Sequence, residues 1–586
     1  MTKRYIITIF LFCITALSIV SQNVIGQEGY IFYHTVEQGQ TVYGISIMYH
    51  VSEEDIYNLN PSSRESIKIG ETLRIPQKDT VNSAMGNDLY IFHTIQPGEN
   101  IFRISQQYNI TQEQLVNANM GLSPQTFAAG KTIRIPANLM QAIPVTERIM
   151  VTKELEYTVK RGDSMFRLTR NFNVTSDKLL QLNPELSRGL KTGMVIKIPV
   201  ETEEIVTILP NANEYDINVL MAYRNSFQQV DNIKIALLLP LASSNATINQ
   251  ARIEFYEGFL MAVENMRNYG VSIELTPLDI GDGTQKIREI LQNEPLGNYH
   301  LFIGGETYEQ IELIANYALK NNIKYVIPFS SSTESLTLTN ANVFQVNTAS
   351  QNLYAYVTSW ACSLFSNYNI IFVNANDQKE DKSSFVRSFK ADLTQRSITF
   401  HSINFNANTF YADVNNCLSA TKPNLIVPQS SSLETLNKIK GPLRTLTERR
   451  SAPQISLFGY PEWQLFTNEC LEDFYALNTY IYTSSFANNQ SADVQRFHAN
   501  YRYWYSKNMI QSYLRYAILG YDMGMYFMSA IQKFGLNFEN NLRQVNHQSL
   551  QNGFQFERVN NWGGFMNTNL YFVNYNKDFT ITRFER

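Results

Sequence analysis

Cysteine is scarce in this chain, four residues in 586. Beyond the first of them, Cys362, Cys417 and Cys470 stand 55 and 53 residues apart, a spacing that fits neither a metal site nor a redox pair. An exported chain could join two of these and leave one thiol over; the plainer reading is three buried apolar thiols. Histidine numbers seven, with no His-x-His or His-Glu-x-x-His arrangement that would hold zinc. No Gly-x-Ser-x-Gly elbow presents a nucleophile. Charge is thin as well, 17% of residues with a net of −4 and no block of one sign, so nothing marks a nucleic-acid surface. Neither a metal nor a cofactor is expected.

Long apolar runs are also missing after the first segment. Lys3 and Arg4 precede an apolar stretch over 5–20, followed by small and polar residues up to Gly26. This pattern reads as a secretory signal over 1–26, shorter than the roughly 20 apolar residues of a spanning helix. Cys13 sits behind Phe12 without the small residues of a lipid-attachment site. The expectation is an exported, periplasmic protein with no stable membrane span after cleavage. What the chain has in quantity is aromatic residues, 34 Tyr and 35 Phe, which favour packed globular units; the length predicts about three to five domains.

The first third repeats itself three times. The segments Val36-Glu37-Gln38-Gly39, Ile95-Gln96-Pro97-Gly98 and Val159-Lys160-Arg161-Gly162 align on their glycines. Tyr43, Phe102 and Phe166 then fall in register, as do Ile45, Ile104 and Leu168, and later Asn60, Asn119 and Asn183. The copies close on Pro76, Pro136 and Pro199, which lie 37, 38 and 37 residues after the glycine. A match this regular reads as duplication. Within a copy, a short strand (Tyr33-His34-Thr35-Val36 in the first) meets a glycine turn. Thr41, Asn100 or Ser164 then stands where a helix N-cap is wanted. Val42, Ile45 and Tyr49 follow at helical spacing; Ser52, Thr111 or Thr175 caps a second helix that buries Ile56, Leu115 or Leu179, and a closing strand ends in Ile-Pro. Units of roughly 45 residues have small cores.

These copies resemble the lysin motif (LysM), with modules at 30–77, 89–137 and 155–200. The resemblance implies binding of N-acetylglucosamine glycans, chiefly peptidoglycan, in a groove between the loop opening helix one and the loop after helix two. Carried over by position, the site residues are Gly39, Gln40, Thr41, Val42, Asn60 and Pro61 in the first copy. They are Gly98, Glu99, Asn100, Ile101 and Asn119 in the second, where Met120 replaces proline, and Gly162, Asp163, Ser164, Met165, Asn183 and Pro184 in the third. The asparagines have an alternative role, bonding their own loop backbone. Weak sites linked by loose polar segments such as 77–86 would gain avidity of about 10² or more through effective concentration.

After an acidic, irregular linker at 201–231, apolar strands alternate with amphipathic helices. Strands are predicted at 233–239, 301–303, 325–327, 370–373, 425–427 and 455–458. Phe255, Phe259, Ala262, Val263 and Met266 share one helical stripe. Such a pattern predicts parallel sheets covered on both faces, in two lobes. Residues 232–586 resemble the type 1 periplasmic binding proteins, a group that includes the leucine/isoleucine/valine-binding proteins. The likeness is carried by Lys234-Ile235-Ala236-Leu237-Leu238-Leu239-Pro240-Leu241, Phe255-Tyr256-Glu257-Gly258-Phe259, Ile303-Gly304-Gly305, Ile327-Pro328-Phe329 and Val343-Phe344-Gln345-Val346-Asn347. The fold class expected is multidomain α/β: three small βααβ modules followed by a two-lobed α/β domain. Ligands of open α/β sheets lie beyond the carboxyl ends of the strands. That rule places Gly305, Glu306, Thr307, Ser330, Ser331 and Ser332 on one cleft wall and Gln429, Ser430, Ser431 and Tyr460 on the other. Glu306 would repel a carboxylate there.

Three functions follow from this organisation. One is a non-catalytic, peptidoglycan-bound envelope protein whose two-lobed domain acts as a sensor or as a scaffold for cell-wall enzymes. Another is the solute-binding component of an ABC transporter for amino acids or similar molecules. The third is a cell-wall hydrolase using one of the scattered acids.

Overall fold

The computed structural model describes residues 31–76, 90–123, 126–136, 145–208, 230–375, 377, 381–448, 453–510, 512–545 and 547–586. The expected signal segment, the inter-repeat segment 77–86 and most of the expected linker lie outside them. The first repeat is β1 (Ile31–Thr35), α1 (Val42–Tyr49), α2 (Glu53–Leu59) and β2 (Thr72–Pro76). The second is β3 (Tyr90–Thr94), α3 (Ile101–Gln107), α4 (Gln112–Ala118) and β4 (Thr132–Pro136). The third is β5 (Val145–Thr158), α5 (Met165–Asn171), α6 (Ser176–Leu182) and β6 (Val195–Ile208). Each strand pair is antiparallel in the same register, with His34 opposite Leu73, His93 opposite Ile133 and Tyr157 opposite Ile196.

Alternation along the closing strand turns Leu73 and Ile75, Ile133 and Ile135, or Ile196 and Ile198 inward. There they bury Ile45 and Ile56, Ile104 and Leu115, or Leu168 and Leu179. The predicted caps are made: Thr41, Asn100 and Ser164 accept the N–H of Gly44, Arg103 and Arg167 at 3.0, 2.8 and 3.3 Å. Gly39, Gly98 and Gly162 take φ of 83°, 84° and 97° in the turn before them, a left-handed region that side chains disfavour.

The third module departs from the sequence expectation. Residues 201–208, read as part of an irregular linker, continue β6, which pairs with β5 over 14 residues. The two segments are rich in β-branched residues, Val200, Thr202, Ile205, Val206, Thr207 and Ile208 against Val145, Thr146, Ile149, Val151 and Thr152, and this composition outweighs the acidic residues interspersed among them.

Beyond residue 230 the chain forms two seven-stranded sheets. The first contains β7 (Ile233–Leu239), β8 (Ile273–Asp279), β9 (Leu301–Gly304), β10 (Lys324–Ile327), β11 (Val343–Gln345), β17 (Phe556–Arg558) and β18 (Phe565–Asn567), in the order β17-β18-β11-β10-β9-β7-β8. The second contains β12 (Asn369–Asn374), β13 (Phe400–Asn404), β14 (Asn424–Pro428), β15 (Ile455–Gly459), β16 (Thr479–Thr483), β19 (Tyr571–Tyr575) and β20 (Ile581–Glu585), in the order β13-β12-β14-β15-β16-β19-β20. Each is parallel except at one edge, where β17 runs antiparallel to β18 in the first sheet and β19 runs antiparallel to β16 and β20 in the second. Along β7, Ile235, Leu237 and Leu239 enter one core while Ala236 and Leu238 enter another, so both faces are covered.

The chain passes between the lobes three times: after β11, after β16 and after β18. In lobe one the predicted stripe lies on the helix Ala246–Asn268, packed against the helix Tyr516–Phe534. Their crossing depends on two glycines. A Cβ at Gly258 would stand 1.8 Å from the Ala517 oxygen, and one at Gly520 would stand 2.1 Å from the Phe255 oxygen. The three cysteines are unpaired; burial pushes the Cys362 thiol up to about 11.

Candidate functional site

The three modules use their shared polar positions in the same way. Asn60 donates to the backbone oxygens of Ile56 and Arg74, both at 2.8 Å, and accepts the Arg74 N–H at 2.9 Å. Asn119 does so with Leu115 and Arg134, and Asn183 with Leu179 and Lys197. Each amide thus ties the end of helix two to the closing strand. This is the alternative role expected of them, and the clip reaches the closing strand as well as the loop.

The residue after the turn glycine closes a second clip. Gln40 accepts the Glu37 N–H and pairs with His34, Glu99 accepts the Gln96 N–H and pairs with His93, and Asp163 accepts the Lys160 N–H and the Tyr157 hydroxyl. Distances run from 2.7 to 2.9 Å. His34 and His93 also meet Tyr49 and Tyr108 on their other ring nitrogen. Burial holds the His34 imidazole below its ordinary 6.5, whereas the N–H of Lys160 and the Tyr157 hydroxyl lower the Asp163 carboxyl. With the caps occupied too, these loops present backbone N–H and C=O groups with a few apolar side chains and, in the second and third modules, an arginine that donates to the turn glycine: Arg103 to the Gly98 oxygen at 3.2 Å and Arg167 to the Gly162 oxygen at 2.8 Å. That surface suits an acetamido group, whose amide needs one donor and one acceptor and whose methyl needs an apolar ledge.

The modules differ in what touches those loops. In the first, a Cβ at Gly39 would lie 3.3 Å from both the Asn352 oxygen and the Tyr356 ring, and one at Gly44 would lie 2.9 Å from the Glu334 carboxylate. The space left between this loop and the two lobes, walled by Glu334 and Leu338 of lobe one and Asn352 and Tyr356 of lobe two, is about 190 Å³, below the roughly 300 Å³ at which small-molecule pockets begin. In the second module Gly98 is open, but the loop after helix two is covered: the Gly121 N–H donates to the Asn561 oxygen at 2.6 Å, and Asn561 donates to the Thr132 oxygen. In the third, no described neighbour beyond the module approaches Gly162 within 4 Å, and Ser164 and Pro184 are exposed. Phe166 is 72% exposed beside Met165.

Lobe one covers the first two modules through the tip of the β17–β18 hairpin. Asn560 accepts the N–H groups of Trp562 and Gly563 and donates to the Leu338 oxygen, which fixes the turn. Trp562, 2% exposed, lies between Tyr49 and Phe92 at ring distances of 6.0 and 5.5 Å, with the Arg134 guanidinium 5.1 Å over its ring. Phe32 stacks on Phe92 at 5.4 Å and joins module one to module two. Composition and period gave no sign of this docking; Trp562 at the tip of an Asn-Asn-Trp-Gly-Gly turn was the available signal.

The cleft residues are also placed. Glu306 forms a two-point pair with Arg252 at 2.6 and 2.9 Å, and that guanidinium lies 3.5 Å over Phe329. The expected repulsion of a carboxylate is therefore answered by a partner the sequence reading missed. Gly305 is packed inward against Ile311 and Tyr325, Thr307 caps the helix Tyr308–Lys320, and Ser330 accepts the Ser332 N–H; Ser331 is half-buried beside them. On the other wall, Ser430 and Thr435 donate to Asp377 at 3.3 and 2.9 Å, as Ser432 also does, and the Gln429 oxygen accepts the Lys382 N–H. Ser431 and Tyr460 are corrections: both are 0% exposed. Tyr460 donates to the Pro428 oxygen at 2.6 Å inside an aromatic core, and the Ser431 oxygen accepts the Trp463 indole N–H. The wide apolar layer beneath β14 and β15 draws them inward. Among the described residues no group of three or more His, Cys, Asp or Glu could hold a metal ion, and no helix is long and apolar enough to cross a membrane.

Comparison with known proteins agrees with this division. The LysM domain family matches residues 34–76, 93–136 and 157–199, and the chain carries three LysM domains, which imply binding of peptidoglycan or other N-acetylglucosamine glycans. The chain is similar to N-acetylmuramoyl-L-alanine amidase sle1 of Staphylococcus epidermidis, 24% identical over 166 residues, 28% of this chain and 50% of that protein. It spans about half the length of the first curated relatives it matches, and the likeness to the amidase is confined to the LysM region. Of solved structures, an ABC transporter substrate-binding protein from Desulfitobacterium hafniense is 14% identical with a TM-score of 0.37. A putative branched-chain amino acid ABC transporter from Rhodospirillum rubrum is 12% identical at 0.43. Each likeness covers 60% of this chain and 100% of the other. The two-lobed reading rests on the strand order above.

Proposed function

We propose that this is a non-catalytic, exported envelope protein held to peptidoglycan mainly through its third LysM module, with the two-lobed domain serving as a sensor or as a scaffold for cell-wall enzymes. The observation that carries the proposal is the open third module beside two modules whose grooves are narrowed by the two-lobed domain. In this reading the contact surface is the backbone of Gly162, Asp163 and Ser164 with Met165, Phe166 and Pro184 as its apolar ledge. Modules one and two act as a bracket that fixes the two-lobed domain at a set distance from the wall. A freely diffusing solute carrier gains nothing from such an anchor. The internal pairing of Arg252 with Glu306 and of Lys382 with Glu462 also leaves the cleft fewer open charges for an amino acid.

Retention on purified sacculi tests the proposal with the full chain. A double variant, Met165→Glu and Pro184→Glu, is expected to lose sedimentation with sacculi while its far-ultraviolet circular dichroism stays unchanged. Equal retention of wild type and variant refutes the third module as the main clasp. Release of dye from labelled sacculi by the wild-type protein refutes the non-catalytic reading.

A further inference from the structure

A second groove lies on lobe one, away from the modules, between the end of the helix Ala246–Asn268 and the helix Ala492–Tyr505. It encloses about 630 Å³, within the range of small-ligand sites. Two large rings stand in it unpartnered: Tyr269 is 71% exposed and Trp504 is 55% exposed, and neither packs on another aromatic ring. Single exposed aromatics are ordinary, but two lining one groove mark a binding surface. Between them are three amides, Asn268, Asn500 and Gln548, whose side chains make no hydrogen bond within the described residues. An amide offers donors and acceptors together, as a ring of hydroxyl groups also does.

The charges narrow the ligand class. Arg496 is paired with Asp493 one helical turn away, and His547 lies 3.8 Å from the buried Asp522 carboxylate. The remaining charged side chain lining the groove is Glu264. No cation is left over for a phosphate, a nucleic acid or an acidic peptide. A ligand with apolar faces, many hydroxyl groups and no charge satisfies what is present. We infer that this groove binds a neutral oligosaccharide, with pyranose C–H faces covering Trp504 and Tyr269 and the three amides pairing with hydroxyl or acetamido groups. This site is independent of the LysM reading, because it shares no residue with the modules.

The test uses the full-length protein and five neutral tetrasaccharides: cellotetraose, maltotetraose, laminaritetraose, mannotetraose and chitotetraose. Of the four tryptophans, Trp463 and Trp562 are buried and Trp360 is half-buried against Phe572, so a blue shift of tryptophan emission that is absent from Trp504→Ala reports Trp504. The expected result is a saturable shift with at least one sugar. By calorimetry, Trp504→Ala should weaken that sugar about tenfold, the scale of one lost aromatic stack plus its buried area. Asn500→Ala should weaken it severalfold, and sedimentation with sacculi should be unchanged in both. Both positions are exposed, so neither variant endangers folding. No saturable shift with any of the five, or affinities untouched by both variants, overturns the inference. So does Trp504-dependent capture of an envelope protein by a chain that binds none of the sugars, which would make the surface a protein interface.

Discussion

The first and third LysM modules share a strand register, a pair of caps and two hydrogen-bond clips, yet they face different surroundings. In the first, the helix Ser350–Leu364 of lobe two presses on the turn at Gly39 and lobe one on the helix at Gly44; in the third, no described neighbour beyond the module touches the equivalent turn, and the module ends on two 14-residue strands. The fold of the module is therefore indifferent to its use. Repetition sets how many grooves a chain can build, and packing against the rest of the molecule sets how many face outward. Three open sites in series would raise avidity by about 10² or more over one. A docked pair forgoes that gain and acquires a fixed geometry in return.

The comparison breaks most directly at Trp562. Replacing a fully packed tryptophan by alanine costs about 3–5 kcal/mol, and here the loss falls on the contact between modules one and two and lobe one. Trp562→Ala should lower hydrogen-exchange protection in modules one and two and raise retention on sacculi, because two more grooves become accessible. Release of the modules without any gain in retention would show that the first two grooves do not bind glycan even when free.

A smaller effect sharpens the comparison within the modules. Asn183→Ala leaves the Lys197 oxygen and N–H without their partner, while the Leu179 oxygen keeps the backbone N–H of residue 183, a loss of about 2 kcal/mol for buried groups. Hydrogen exchange should show module three opening locally while the two lobes stay protected. Asn60→Ala removes the same clip in module one, where contacts with lobe one persist, and should open that module less. Equal opening in both would mean that docking adds no stability to module one.

Much of the fold was legible because its causes are local. Thr41, Asn100 and Ser164 cap helices by their own hydroxyl or amide, and the β7 run is apolar because both its faces are covered. The site was less legible. Asn60, Asn119 and Asn183 stood out by repetition, but repetition alone does not distinguish a ligand contact from a clip 14 or 15 residues long in sequence. Tyr460 looked like a strand-end residue at the cleft, and the aromatic layer around Phe385, Phe458 and Tyr482 takes it inward. Arg252 and Trp562 act across 54 and more than 400 residues of sequence, a range at which no periodicity operates.

Acid should separate the modules next. His34 sits buried with its pKa lowered by desolvation, opposed by Gln40 and Glu37 and reinforced by Lys131. Its unfolded counterpart takes a proton first as pH falls below about 6.5, so the folded module loses stability from there downward, by at most about 1.4 kcal/mol per pH unit for one proton. Module three has Tyr157 at this place, which stays protonated throughout that range, and the lowered Asp163 carboxyl loses its contribution only as pH falls below the ordinary carboxylate range. Between pH 6.5 and 5, protection factors, which are corrected for the pH dependence of free amide exchange, should fall in module one and not in module three. His34→Tyr should shrink the difference to the part owed to His50, whose imidazole is lowered by desolvation and by Arg134; a module three that loosens equally would assign the acid response to something the modules share.

The smallest expected effect concerns the ion pair between Lys131 of module two and Glu37 of module one. Its side chains are 42% and 41% exposed, so water and salt screen the attraction, and pairs of this kind contribute about 0–1 kcal/mol. Lys131→Ala should lower the midpoint for release of the docked modules slightly at low ionic strength and not at all near 1 M salt. The aromatic contact of Phe32 with Phe92, being apolar, should be insensitive to that change. If the alanine variant instead frees the modules as fully as Trp562→Ala does, and does so at high salt, then packing around the indole is not what holds the first two modules against lobe one, and the contrast with the third module must be explained by charge.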